Sequence, residues 1–148
     1  EEITTDVNTC RDILIANGWT RGALHYAYPG GQLTLDSHPS LLEGLGYKTA
    51  RTINATLQNQ QFETDNIFQL WAMGVGSTVT AANITDKIDE IILSGRMFAT
   101  YIHALGTPES ASEWDPAKFK TVVDYLVTKK AAGEIEVLTI SEWYKLVS

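Results

Sequence analysis

Segments with a helical apolar pattern alternate with strand-like apolar runs along this chain, and the alternation is the strongest constraint on its fold. The helical segments are 6–18, 40–46, 84–95, 114–134 and 141–147, and the strand-like runs are 23–28, 47–53, 67–75, 96–106 and 135–140. Parallel strands need crossover connections, which are commonly helices, so the pattern predicts an α/β fold with a parallel sheet, open or closed into a barrel. Because no linker rich in Pro or Ser interrupts the pattern, residues 1–148 are expected to form a single domain.

The segment 114–134 carries the clearest helical signal. Asp115 suits the N-cap, Pro116 suits the first helical position, and Gly133 can end the helix. Apolar residues recur inside it at helical spacing: Phe119, Val122, Val123, Leu126 and Val127. These residues are expected to pack against the rest of the protein.

Two further helices are expected to begin at polar caps. Asp6 is the predicted N-cap of the first, which would end at Gly18 and bury the Cys10 thiol on its apolar side. Thr85 is the predicted N-cap of a helix that Gly95 would end.

Charge and hydropathy exclude two classes of partner. The formal net charge is -7, and no basic cluster occurs, which argues against binding to nucleic acid. No apolar run approaches the length of a membrane span. The single cysteine, Cys10, has no partner in the chain for a disulfide or a metal knuckle.

Two predicted strands end in residues that can carry chemistry. The first ends as "HYAYPGG" (25–31), and the second contains "TYIHALG" (100–106), with His103 just after an apolar run. Sites in parallel α/β folds form at the carboxyl ends of strands. Both stretches are therefore candidates for a functional site.

An ordered set of motifs resembles the second half of a polysaccharide deacetylase domain of the NodB-homology type. The set consists of "YPGG" after a strand, "GYKTART", "MFATYIH", a long helix and "EVLTISEW". The resemblance implies a distorted (β/α) barrel that removes N- or O-acetyl groups from polysaccharides outside the cell or at its surface. It also implies a divalent metal, usually zinc, that activates the attacking water.

The resemblance assigns roles to residues of the two strand ends. His103 matches the histidine that acts as general acid toward the leaving group. Tyr101 stands where the family usually has a leucine lining the acetyl pocket. Pro29 matches the proline of an Arg-x-Pro-Tyr motif, and the Gly30 N–H would stabilise the oxyanion. Ala27 and Gly30 replace the arginine and tyrosine of that motif.

Other residues are expected to contact the substrate, each with an alternative. Tyr28 is a predicted substrate contact beside the turn. Arg51 either replaces the missing motif arginine or pairs with a surface carboxylate. Trp71, Trp114 and Trp143 could stack on a sugar but more often belong to the core, and Trp114 is the favoured sugar contact among them.

Plainer interpretations exist for the histidines and the turn. His103 could simply cap a strand, and 29–31 could be an ordinary turn. His25 is expected to be structural, and His38 is expected to be a solvated loop residue before a proline.

The metal-binding motifs of the family are missing from this sequence. It contains neither an Asp-Asp pair nor two histidines four residues apart, so no metal ligand is assigned within it. The resemblance therefore implies a carbohydrate deacetylase-like domain that becomes active when an N-terminal half holding the metal completes it. An N-terminal chain of the same protein is the natural source of that half, and this chain is expected to pair tightly with such a chain or to form a homo-oligomer. The alternatives are a non-catalytic carbohydrate-binding or structural module on the same scaffold, and an unrelated α/β binding domain.

Overall fold

A computed structural model describes residues 2–33, 35–53, 60–61, 66–107 and 110–148. Its helices are α1 (Glu2–Ala16), α2 (His38–Gly44), α3 (Ala81–Ser94), α4 (Pro116–Ala131) and α5 (Ile140–Val147). Its strands are β1 (His25–Ala27), β2 (Thr49–Ile53), β3 (Gln60–Gln61), β4 (Leu70–Val75), β5 (Arg96–Met97), β6 (Thr100–Ile102), β7 (Ala104–Leu105) and β8 (Glu113–Trp114). Within the described ranges, no helix combines the length and the apolar character needed to cross a membrane.

The chain divides into two units. Unit 1 comprises the described residues of 2–53, 66–70 and 138–148, and unit 2 comprises 60–61 and the described residues of 71–137. Unit 1 contains the parallel pair β1–β2, and unit 2 contains the parallel pairs β4–β6 and β7–β8. The predicted mixed α/β class with parallel strands is confirmed and is compatible with part of an α/β barrel. The deacetylase type of barrel stays a prediction.

The core of unit 1 forms where α1 and α2 pack near the first strand pair. Its buried members are Val7, Tyr28, Leu42, Tyr47 and Ala50. The Tyr47 hydroxyl donates a hydrogen bond to the Val7 carbonyl at 2.9 Å. Arg11 Nη1 donates to the Leu45 carbonyl at 2.8 Å. These two bonds attach α1 to the segment that follows α2.

The core of unit 2 lies between the strands and the pair of helices α3 and α4. Its buried members are Met73, Val75, Ile84, Ile88, Trp114 and Val122. The Tyr125 hydroxyl of α4 donates to Asp89 Oδ1 of α3 at 2.6 Å. Lys129 Nζ lies 3.2 Å from the same carboxylate oxygen. The two helices are thus joined by polar contacts as well as apolar ones.

Helix α4 begins as its sequence indicates, whereas α3 begins earlier than expected. The Asp115 side chain accepts a hydrogen bond from the Ala117 N–H at 2.7 Å, which confirms the predicted N-cap. The prediction of Thr85 as the N-cap of α3 is wrong. Thr80 holds that position, and its side chain and that of Asn83 bond reciprocally to each other's backbone N–H groups.

Helix α1 also differs from its prediction. It begins at Glu2, so Asp6 lies within the helix and is not its N-cap. The predicted burial of the Cys10 thiol is wrong, because Cys10 is exposed. Val7 is the buried residue of α1, whereas the later apolar position Ile13 is exposed.

Two predicted strands have a different structure. The run 96–106 is divided among β5, β6 and β7, because these short strands pair with three different partners, β3, β4 and β8. The predicted strand at 135–140 is wrong: residues 135–139 have no regular secondary structure. The Thr139 side chain instead accepts a hydrogen bond from the Glu142 N–H and caps α5.

Candidate functional site

The turn after β1 is a tight 3₁₀ turn over Pro29–Gly31. The Gly31 N–H donates to the Tyr28 carbonyl at 2.7 Å. Gly30 has φ 62° and Gly31 has φ 70°, values that favour glycine. A Cβ added to Gly31 would lie 2.3 Å from Ile53 Cγ1, so this position has room only for glycine. Pro29 and Gly30 are exposed.

Arg51 lies on β2, next to the strand that leads into this turn. Its Cα is in register with that of Ala27, the position at which the resembled motif has arginine. The Tyr28 N–H donates to the Arg51 carbonyl at 3.1 Å, which holds the two strands together at this level. The structure therefore brings Arg51, Tyr28, Pro29 and Gly30 together in unit 1.

Tyr28 lies beneath the turn and is 4 % exposed. Burial, and secondarily the neighbouring Tyr26, raises the pKa of Tyr28 to about 12. The hydroxyl is therefore neutral at physiological pH. The His38 ring stacks on Tyr28 with 6.2 Å between centroids and an interplanar angle of 18°. The prediction of His38 as a solvated loop residue is wrong, because it begins α2 and is half-buried.

Tyr28 and His38 both line a cavity of about 330 Å³ in unit 1. Apolar residues form part of its wall: Ile3, Val7, Pro29, Leu41 and Leu42. Its remaining lining residues are Asp6, Tyr26 and Gln32. A concave, largely apolar wall with a few polar groups is typical of small-molecule sites.

His103 and Tyr101 lie together in unit 2. His103 directly follows β6 and is exposed. The Tyr101 ring contacts it edge to face, with 5.4 Å between centroids. A Cβ added to Gly74 would lie 2.7 Å from the Tyr101 hydroxyl oxygen, so Tyr101 lies directly over Gly74 on β4. The imidazole is therefore placed at the carboxyl end of a parallel strand.

Trp114 lies in the core of unit 2 and is 2 % exposed. Its indole N–H donates to the Val79 carbonyl at 2.9 Å. A sugar contact would require this ring to leave the core. Trp143 is also buried, whereas Trp71 is more exposed.

His25 has structural contacts in unit 1, as expected. A hydrogen bond joins its Nδ1 to Thr49 Oγ1 at 3.0 Å, and its ring lies 6.0 Å from that of Tyr144. Burial lowers the pKa of His25 below its ordinary value.

The lowered pKa of His25 predicts acid sensitivity. As the pH falls below about 6.5, His25 binds a proton more readily in the unfolded chain than in the folded one. The free energy of unfolding should therefore fall through this range, and less so in His25→Asn, which lacks the imidazole. Urea denaturation of both proteins at pH 7.5 and 5.5 measures the difference. If the free energy of unfolding fell equally in the wild type and in His25→Asn, the lowered pKa of His25 would be contradicted.

Among the residues that the structure describes, no group of three or more His, Cys, Asp or Glu side chains could hold a metal ion. No family model, curated protein or solved structure matches the chain. The resemblance to polysaccharide deacetylases therefore stays a prediction.

Sequence reasoning missed His38 and Asp6 as lining residues of the cavity. A signal for His38 existed. Proline is common in the first turn of a helix, and Pro39 stands at the start of a helical pattern, so the histidine before it is expected at a helix start rather than in a loop. No sequence signal pairs it with Tyr28, because their stacking depends on how α2 packs.

Proposed function

We propose that this chain supplies the substrate-side part of a carbohydrate deacetylase. The observation that carries the proposal is the register of Arg51 with Ala27. The resembled motif has an arginine at the position of Ala27. In this chain, Arg51 on the neighbouring strand β2 is paired with Ala27. A guanidinium beside the turn would stabilise the negative charge that develops on the acetyl oxygen. The exposed Gly30 would add its N–H to this group.

His103, in unit 2, would act as the general acid, the role that the resemblance gives it. An exposed imidazole at the carboxyl end of a strand can give a proton to the leaving amine or alcohol when the acetyl group departs. The edge-to-face contact with Tyr101 restricts the orientation of the ring. Tyr101 itself would border the acetyl group in place of the family's leucine.

The described residues do not fit a metal, so the proposal derives no step through one within this chain. A divalent metal, zinc in most of the resembled family, would be held by a second polypeptide, and the assembled enzyme would act outside the cell or at its surface. The second polypeptide would be an N-terminal chain of the same protein.

Acetate release by the assembled protein tests the proposal. Native mass spectrometry of protein isolated without chelator should show this chain with a second polypeptide and a divalent metal. That assembly should release acetate from N-acetylated chito-oligosaccharide or O-acetylated xylo-oligosaccharide. His103→Gln should lower kcat by roughly 10²- to 10⁴-fold, since it removes a general acid.

His25→Asn is the matched control, because it also removes an imidazole but can keep a hydrogen bond to Thr49. It should leave kcat close to the wild-type value. An assembly that holds metal and releases acetate equally well with His103→Gln would contradict the role of His103. A metal-free chain that releases no acetate in any preparation would overturn the deacetylase proposal.

A second candidate is a non-catalytic carbohydrate-binding module. Replacement of the motif's arginine and tyrosine by Ala27 and Gly30 favours it. The same oligosaccharides would then bind to the protein without release of acetate. Isothermal titration calorimetry beside the acetate assay separates the two functions.

A further inference from the structure

We propose that the cavity of unit 1 binds a small organic ammonium ion, held between Tyr26, Tyr28, His38 and Asp6. The cavity lies beside α1, the turn after β1 and α2, and its volume of about 330 Å³ is at the lower end of the range for ligand sites. This inference does not depend on acetate release or on a metal.

Aromatic rings form part of the cavity wall. The Tyr26 and Tyr28 rings stand nearly perpendicular, at 81°, with 5.5 Å between centroids. The His38 ring is close to parallel with that of Tyr28. Faces of tyrosine rings attract organic cations, and aromatic cages are a recurrent way of binding ammonium groups.

Two buried polar atoms of these rings have no hydrogen-bond partner among the residues that the structure describes. They are the Tyr28 hydroxyl oxygen and His38 Nε2. Buried polar atoms are normally paired, because an unpaired one loses its bonds to water without replacement. A hydroxyl oxygen can accept a hydrogen bond, and a histidine ring offers one acceptor nitrogen in its neutral form. An ammonium group, which only donates, is the chemical complement of two such acceptors.

The charge of the lining selects a cation. Asp6 is the charged carboxylate among the described lining residues, and none of these residues is Lys or Arg. The whole chain adds a formal net charge of -7. An anion would therefore be repelled, and a neutral ligand would gain less from Asp6 than a cation, since it can donate a hydrogen bond but has no charge. A primary ammonium carries three N–H donors, and Asp6, Tyr28 and His38 of the lining carry acceptors.

Three ring compounds of matched size test the inference on the intact 148-residue chain. Benzylammonium, benzyl alcohol and benzoate differ mainly in charge, and NMR titration at pH 8 measures their dissociation constants. Benzylammonium should bind at least about tenfold more tightly than benzyl alcohol, and benzoate should bind most weakly. Equal binding of the cation and the alcohol, or no binding of any compound, would overturn the inference.

Substitutions locate the binding in the cavity. Asp6→Asn should abolish the preference for benzylammonium over benzyl alcohol while leaving the alcohol unchanged. Tyr28→Phe should weaken benzylammonium several-fold, and it removes a hydroxyl that makes no hydrogen bond with the described residues, so folding should be kept. Glu43→Gln, on the exposed side of α2, removes the same charge outside the lining and should change nothing. A preference that survives Asp6→Asn would contradict the proposed site.

Discussion

The Gly76→Ala variant is expected to lose about 3 kcal/mol of unfolding free energy, in the upper part of the range for overpacked sites. Gly76 follows β4, and a Cβ added there would lie 2.1 Å from the carbonyl oxygen of Ala111. That carbonyl accepts a hydrogen bond from the Ser77 N–H at 3.1 Å. The oxygen cannot retreat from the new methyl group without losing this bond. The backbone at Gly76 or at Ala111 must therefore shift.

Gly106→Ala is the matched control in the same unit. A Cβ added to Gly106 meets no atom within 4 Å among the described residues, and its φ lies outside the left-handed region. Its unfolding free energy should equal that of the wild type or exceed it by up to about 1 kcal/mol, since alanine restricts the unfolded chain. Urea denaturation followed by far-UV circular dichroism measures both variants. A wild-type midpoint for Gly76→Ala would show that the close approach to Ala111 is wrong.

Helices whose ends are encoded locally could be predicted from the sequence. Asp115 and Pro116 fix the start of α4 through contacts within one turn, so no distant residue is needed to locate it. Which side of a helix is buried could not be predicted from local sequence in the same way. The exposure of Cys10 depends on where α1 packs, and periodicity alone does not contain that information.

Strands were harder to predict because their partners are distant in sequence. The run 96–106 has uniform strand character, yet its parts pair with β3, β4 and β8 in turn. A local pattern predicts that a segment is extended but not which neighbour it pairs with. Residues 135–139 likewise have a strand-like apolar pattern but no regular secondary structure.

The parts of the candidate site that lie at strand ends could be predicted from the sequence. The turn of Pro29–Gly31 and the position of His103 after β6 both follow from apolar runs that stop at a turn or a histidine. The role of Arg51 was open between a replacement for the motif arginine and a partner of a surface carboxylate, and its register with Ala27 depends on the pairing of β1 with β2. The cavity was missed, since stacking of His38 on Tyr28 arises only when α2 packs.

Trp114→Ala is expected to lose about 3–5 kcal/mol of unfolding free energy, the usual cost of truncating a buried tryptophan. The ring packs in the core of unit 2 and meets Phe119 edge to face, with 6.2 Å between centroids. Trp114→Phe should cost less, about 1–2 kcal/mol. It keeps an aromatic ring and loses the N–H donated to Val79, whose carbonyl also accepts from Lys118 Nζ at 3.3 Å.

Trp19→Ala is the control for Trp114, because Trp19 is 65 % exposed and its loss should change the unfolding free energy by no more than about 0.5 kcal/mol. Urea midpoints of the three variants, measured beside their affinity for acetylated oligosaccharide, separate the two roles that the sequence left open for Trp114. A large loss of stability in Trp114→Ala, with saccharide affinity kept in the folded Trp114→Phe, supports a core residue. A wild-type midpoint in Trp114→Ala together with lost affinity would instead make this ring a sugar contact, and the buried position would then be wrong.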